Sequence, residues 1–369
     1  MSAINSYCIG QFVLNTFRNY QHSEFNFHNR NHIIYGENGM GKTNILEGIS
    51  MLSAGRGLRS ATTEEIIKQG YESSGVLGKI TSQLGEYDLN LSVDFSFESN
   101  SYKKKYFLDG SPLKNKNLLD YYLSCIWLIP QMDNFFLQDS SSKRKFIDRL
   151  IFNFDKSHLT RLNEHDKLIR ERNKILSGGS LNGKWLDLIE EKLVEITVPL
   201  VVSRLDFIHS LNEFTAVDEK YPLHLSFAGE IEDLLREHTY SLKVENILKE
   251  SIKENRRNDL IMGQSNTSAN KSKLVCKFIT TGQGAENSST GEQKMMLISI
   301  ITSFIKLLQN TKQISPILLL DEFNVHLDKN NTEYVINKIL QFGSQVFITT
   351  THQEIFTDFK EKFEFLQIN

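Results

Sequence analysis

The residues Gly36-Glu37-Asn38-Gly39-Met40-Gly41-Lys42-Thr43 satisfy the pattern G-x-x-x-x-G-K-[ST] at every fixed position. Each residue type has a chemical reason. Glycines let successive backbone N–H groups turn inward around a phosphate, and a helix starting at the end of the loop presents its positive dipole to the same anion. A lysine at position 42 can reach the β- and γ-phosphates of a nucleotide, and the Thr43 hydroxyl suits Mg²⁺. Far along the chain, Asp321-Glu322 closes the apolar run Ile317-Leu318-Leu319-Leu320. Asp321 would hold the metal directly or through water, leaving Glu322 free to polarise an attacking water. Ser289-Thr290-Gly291-Glu292 combines a hydroxyl, a glycine and a helix start, a set that suits a second phosphate as well as an ordinary cap.

Further residues stand where they could complete such a site. Gln131 follows a buried-strand candidate and could bridge Mg²⁺ to the helical insert. His352 follows the last apolar strand and could hydrogen-bond a γ-phosphate. Arg18 and Asn19, in the turn Phe17-Arg18-Asn19-Tyr20, would set an arginine and an amide beside the nucleotide. Arg56 and Arg59, in Gly55-Arg56-Gly57-Leu58-Arg59, could neutralise phosphate on nucleotide or on DNA. Leu327-Asp328 lies where a subunit contact is expected.

These residues need elements to position them. Asn31 to Tyr35 is short, apolar and β-branched, as a buried strand should be. Beyond the glycine loop, Ile45, Leu46, Ile49 and Leu52 repeat at helical spacing. Strand, loop and helix are the context that confirms a phosphate loop. Short strands are expected at Ile9–Leu14 and Glu24–Phe27. Leu89, Leu91, Val93, Phe95 and Phe97 alternate, and Tyr106 and Leu108 precede an Asp109-Gly110 turn, so Val76 to Leu108 predicts an appended antiparallel sheet. Ser124–Ile129 predicts a buried strand.

From about Ser140, where Ser140-Ser141-Ser142 offers a cap, the pattern turns helical. Long helices are expected over Leu159–Leu176 and Trp185–Phe214, with Pro199 kinking or breaking the second. Ser177 to Ser180 and Asn182-Gly183 read as linkers, and residues 263–273, rich in Ser, Asn and Lys, as a mobile loop. A strand over Lys273–Ile279, a helix over Met295–Leu308 and strands at Ile317–Leu320 and Gln345–Thr349 return the pattern to α/β. The expected layout is an α/β head from residues 1–135 and 274–369, with a helical insertion lobe over 136–273.

The 369 residues carry a net charge of −3, so any nucleic-acid surface must be local. Lys103-Lys104-Lys105, Lys143-Arg144-Lys145, Arg170 with Arg172 and Lys174, and Arg256-Arg257 are the candidates. No apolar run reaches the roughly 18 residues of a membrane span. Cys8, Cys125 and Cys276 have no metal-like spacing and fit a reducing cytoplasm.

Phosphate loop, Gln131, the Ser289-Gly291 signature, Asp321-Glu322, Leu327-Asp328 and His352 occur in the order of the ATP-binding-cassette architecture, which the chain resembles. Within it the likeness narrows to the RecF family of DNA replication and repair proteins, related to SMC heads. It is carried by Phe17 to Tyr20, Gly36 to Asn44, Leu46-Glu47, Gly55 to Arg59, Pro130-Gln131-Met132-Asp133, Lys143 to Arg149, Ser289 to Lys294 and Leu319 to Asp328.

The resemblance implies an α/β, cassette-type P-loop ATPase head with an appended antiparallel β-sheet and a mostly helical insertion lobe, which binds ATP with Mg²⁺ and hydrolyses it weakly. It implies a homodimer formed around ATP, in which Ser289 and Gly291 of one copy complete the site of the other. It also implies binding to double-stranded and gapped DNA, and action with RecO and RecR to help RecA load. Two departures stand out. Ser268 to Lys273 replaces a Gly-Pro-His-Arg-like segment, and Glu322 stands where a second aspartate is common. The other readings weighed are an ATPase subunit of a membrane transporter, a nuclease-linked ATPase and a nucleotide-binding scaffold without turnover.

Overall fold

The computed structural model describes residues 4–28, 31–96, 99–115, 118–179, 181, 183–238 and 241–369. Phe97, Ser180 and Asn182, named above, lie outside the described residues. The chain forms two compact units, Met1–Asp133 with Ile305–Asn369, and Asn134–Phe304. Residues 274–304, grouped with the head on sequence, fall within the second unit.

The first unit is built on two sheets. Five parallel strands lie in the order Glu364–Gln367, Asn31–Tyr35, Val346–Thr350, Ile317–Asp321, Cys125–Leu128. Val346–Thr350, Ile317–Asp321 and the edge strand Cys125–Leu128 are buried along their length, which is why they read as apolar runs rather than alternations. Six antiparallel strands form the other sheet, in the order Tyr20–Asn26, Cys8–Phe17, Ser73–Ser82, Gly85–Ser96, Ser101–Leu108, Ser111–Pro112. Here one face is covered, and Val76, Ile80, Leu89, Leu91 and Val93 turn to the core. The helix Lys42–Met51 packs on this sheet at Gly48, where a Cβ would sit 2.8 Å from Leu14 and 2.9 Å from Phe12.

A buried side chain ties the two sheets together. The Ile9 N–H donates to Gln345 Oε1 at 2.8 Å, and Gln345 Nε2 donates to the Ile9 carbonyl at 3.0 Å. The amide takes the place of a strand neighbour where the pairing of Cys8–Phe17 slips between Ile9 and Gln11.

The second unit is mostly helical, with a two-stranded antiparallel ribbon of Leu223–Ala228 and Lys273–Phe278. Helices run over Ser140–Phe154, Ser157–Ser177 and Lys184–Thr215. Three expectations are corrected here. The first helix is capped by Asp139, whose carboxylate accepts from the Ser141 and Ser142 N–H groups, so the serines lie inside the helix. Pro199 does not break Lys184–Thr215, which runs on as one 32-residue helix. Pro199 lies on the exposed side of the helix, as does Glu195 one turn back. The carbonyl that loses its donor can therefore turn to water, the usual way a helix accommodates proline.

The third correction concerns residues 263–273. Ser265, Thr267, Ser268, Ala269 and Ser272 are buried, and Ala269 belongs to the core of this unit. Arg204 donates to the Ala269 carbonyl at 2.6 Å, Arg144 to the Ser272 carbonyl at 2.6 Å, and Arg172 to Ser265 Oγ at 2.7 Å. The polar composition that suggested a loop in water instead supplies acceptors to buried guanidinium groups.

Candidate nucleotide-binding and hydrolysis site

The carboxyl ends of the parallel strands line up at one sheet edge, with Tyr35 beside Thr350, Asp321 beside Thr349 and Leu320 beside Leu128. Ligands of open α/β sheets bind at such an edge. The loop Gly36–Gly41 leaves the Asn31–Tyr35 strand there, exposed from Glu37 to Met40. Gly41 caps the following helix at φ 99°, and a Cβ on it would lie 2.6 Å from Asn19 Nδ2. Only glycine allows both the left-handed backbone and that approach.

Asn19 itself donates to the Met40 carbonyl at 3.2 Å and accepts from Asn44 Nδ2 at 2.7 Å. The expected neighbourhood of the Phe17–Tyr20 turn and the glycine loop is thus present. Arg18 is held differently. Its Nε and Nη2 grip the buried Glu47 carboxylate at 2.8 and 2.6 Å, and its Nη1 donates to the Glu65 carbonyl at 2.6 Å. Arg59 joins from the other side, 2.8 Å from Asn44 Oδ1 and 3.3 Å from Glu47.

Lys42 is buried and donates to the Gly36 and Glu37 carbonyls at 2.7 and 2.9 Å. Burial lowers its pKa from the ordinary lysine value, while Glu322 and Asp321 pull it back up. Next to it, Thr43 Oγ1 donates to Asp321 Oδ1 at 2.8 Å, across a separation of 278 residues. Thr349 Oγ1 donates to the same oxygen at 2.6 Å, and also accepts from the Glu322 N–H at 3.0 Å. Glu322 is half-buried and sits at φ 45°, a conformation that costs a non-glycine residue energy and that gathers at functional sites.

The remaining expected residues fall as follows. Gln131 is exposed in the turn Pro130–Met132, just beyond the Cys125–Leu128 strand. His352 follows Val346–Thr350, exposed, with Nδ1 2.9 Å from Glu354 Oε1. Asp328 caps the helix Lys329–Leu340 through the Asn331 N–H at 2.7 Å. Ser289 and Gly291 belong to the second unit, where Ser289 opens the helix Thr290–Lys312.

Thr349, Tyr20, Asn44 and Glu47 were not singled out as site residues on sequence. Tyr20 donates to the Gly41 carbonyl at 3.3 Å. Its place in the turn beside Asn19 was a usable signal; a threonine ending an apolar strand was not.

Several basic clusters resolve into structural pairs. Arg172, fully buried, bridges Glu190 at 2.9 Å and Asp259 at 2.7 Å. Arg256 pairs with Glu190 and Asp187 at 2.5 Å each, and Arg144 is buried. These guanidinium groups hold the second unit together. Lys103, Lys105, Lys145, Arg170, Lys174 and Arg257 remain at the surface.

Residues 8–368 match the family described as the RecF/RecN/SMC N-terminal domain. The protein named DNA replication and repair protein RecF from Agrobacterium fabrum is 31% identical over 99% of this chain and 98% of its own. Its namesake from Rickettsia prowazekii is 33% identical over 96% of this chain and 98% of its own. The chain belongs to the RecF family.

A solved structure described as the recombination mediator protein RecF-ATPrS in the RecFOR pathway superposes on this RecF-family fold with a TM-score of 0.85. It is 22% identical and covers 100% of this chain and 98% of the other. An SMC head domain from Pyrococcus furiosus gives 0.52 at 15% identity, covering 95% and 91%. The cassette-type head with an appended antiparallel sheet and helices, expected from sequence, is therefore the fold of this RecF-family chain. Among the described residues no helix is long and apolar enough to cross a membrane.

Proposed function

We propose that this RecF-family chain is an ATP-dependent DNA-binding protein of recombinational repair, a weak DNA-dependent ATPase that pairs with a second copy when ATP binds. The observation that carries this reading is the convergence of Thr43 and Thr349 on one oxygen of Asp321, beside the buried Lys42. It unites a phosphate loop with the carboxylates of a distant strand.

The donor set fits Mg²⁺. A hydroxyl and a carboxylate, both hard oxygens, stand 2.8 Å apart. Among the described residues no three His, Cys, Asp or Glu side chains gather into a metal cage. Mg²⁺ is ordinarily held in that way, by one or two protein oxygens, waters and the nucleotide's own phosphates. When bound there, Mg²⁺ would neutralise developing charge on the phosphates. Thr43, Asp321 and Gln131 are its assigned ligands, directly or through water.

Lys42 leaves the Gly36 and Glu37 carbonyls for the β- and γ-phosphates, and the N–H groups of Gly36 to Thr43 line the same anion. Glu322 takes the proton of the attacking water. Asn19, with Arg18 behind it, fixes the loop from the side, and His352 hydrogen-bonds the γ-phosphate. Ser289 and Gly291 of a second copy close the pocket. DNA is held through phosphate contacts, RecO and RecR are the partners, and RecA loading at gapped DNA is the outcome. We assign the cytoplasm as its compartment, in keeping with Cys8, Cys125 and Cys276 having no metal-like spacing.

The test is molecular mass by light scattering with and without ATP on a Glu322→Gln variant. A dimer only with ATP is expected, and a monomer under both conditions refutes the pairing. Duplex-DNA affinity titrated against salt should fall steeply, with a log–log slope of about −0.9 per phosphate contact. Binding that ignores salt or ATP refutes the DNA reading.

A further inference from the structure

The helix Thr290–Lys312 begins with a reciprocal cap. Ser289 N–H and Ser289 Oγ–H both donate to one oxygen of Glu292, Oε2, at 2.9 Å, and the Glu292 N–H donates back to Ser289 Oγ at 3.3 Å. Such a box is an ordinary way to satisfy helix-end donors. At this helix it has a second consequence. The hydroxyl and N–H that would grip a phosphate are the ones that hold the Glu292 carboxylate, and the helix dipole favours only so much negative charge at its first turn. Both Ser289 and Glu292 are exposed, so the carboxylate can leave without opening the core.

The turn before the helix is held separately. Gln293 is 3% exposed, and its Nε2 donates to the Ser288 carbonyl at 2.9 Å. Its Oε1 is buried without a hydrogen-bond partner, an unsatisfied group retained where the amide fixes the neighbouring backbone. The Gln293 N–H also donates to the Ser289 carbonyl at 2.8 Å. Ser289 therefore keeps its place through Gln293 when Glu292 moves. One of these neighbours latches the turn from inside, and the other occupies its donors from outside.

We infer that Glu292 is a built-in competitor for the phosphate position at Ser289, setting how much ATP is needed before two copies pair. The inference rests on the proposed ATP-dependent pairing and adds the residue that tunes it. An anion arriving from a second copy must displace the carboxylate, and the displaced charge stays within one helical turn of it. Glu292→Gln keeps an acceptor for the Ser289 N–H and removes the charge. Glu292→Ala removes both.

The experiment is an ATP titration of dimer formation by light scattering, in the Glu322→Gln background to suppress turnover, for the parent and for both Glu292 variants. Nucleotide uptake by each chain is measured in parallel with a fluorescent ATP analogue under dilute, monomeric conditions. Half-maximal dimerisation is expected at about three- to fivefold less ATP in both variants, the size of a charge effect at a helix end, with monomer uptake unchanged. A purely structural cap predicts the opposite for Glu292→Ala, which would need more ATP or melt earlier. A parent that dimerises with ATP while neither variant shifts overturns the role of Glu292 and leaves the pairing intact. A parent and variants that all stay monomeric overturn both.

Discussion

At the scale of single residues, Thr349 is the side chain whose role emerged only in three dimensions. Its hydroxyl orients the Asp321 oxygen that also meets Thr43, and it accepts from the Glu322 N–H. Thr349→Val keeps the shape and removes both bonds. A hydrogen bond to a charged group contributes about 1.5–3 kcal/mol. ATP hydrolysis by Thr349→Val is therefore expected to fall about tenfold or more, with nucleotide uptake retained; unchanged turnover would show that Asp321 is oriented by other groups. Glu322→Gln should be the more severe loss, about 100-fold or beyond for a removed general base, read in the same single-turnover assay.

At the scale of elements, buried polar groups decide which segments are fixed. Gln345 supplies both hydrogen bonds of the Ile9 backbone. Gln345→Leu leaves that N–H and carbonyl unpaired and is expected to cost about 2 kcal/mol or more, measured by urea unfolding. In the second unit, Asp148 accepts from Arg204 Nε and Nη2 at 2.8 Å each and lies 2.9 Å from His158 Nε2.

Burial works to raise the pKa of Asp148, but Arg204 and the His158 hydrogen bond outweigh it and hold it below the ordinary aspartate value. A carboxyl shifted downward gives stability that is full above its unfolded pKa, about 3.9, and lost as pH falls through the folded value. Acid below about pH 4 should therefore release residues 265–272 to hydrogen exchange, because Arg204 also holds the Ala269 carbonyl. Asp148→Asn should release them at neutral pH, at a cost of about 3–5 kcal/mol for a stranded guanidinium.

At the scale of the whole molecule, the residues proposed above to serve ATP are divided along the chain. The phosphate loop and the Asp321-Glu322 pair lie in the unit formed by Met1–Asp133 and Ile305–Asn369, and Ser289 in Asn134–Phe304. The helix Thr290–Lys312 begins in one unit and ends in the other. Metal removal addresses the assembly. With EDTA, ATP-dependent dimerisation of Glu322→Gln should disappear and return with added Mg²⁺. Persistence of the dimer in EDTA would exclude Mg²⁺ from the pairing step. Replacing Lys103 and Lys105 by glutamate tests surface charge at the same scale, since these lysines are exposed whereas Arg172 and Arg144 are buried.

The sequence by itself determined what depends on neighbouring residues. The phosphate loop, the helix after it, the apolar strand ending in Asp321-Glu322 and the alternation of the antiparallel sheet are all written in contiguous residue types. Backbone geometry and side-chain period act locally, so these features were readable.

What only the tertiary structure decided is which distant groups meet. Nothing local to Thr349 shows that it will share an oxygen with Thr43. Nothing in the charge of Arg144, Arg172 or Arg256 distinguishes a surface for DNA from a partner for Glu190, Asp187, Asp259 or the Ser272 carbonyl. The segment 263–273 carried the same ambiguity, because a polar stretch can be solvated by water or by buried arginines with equal chemical sense. Burial settles such cases, and burial is a property of the packed chain.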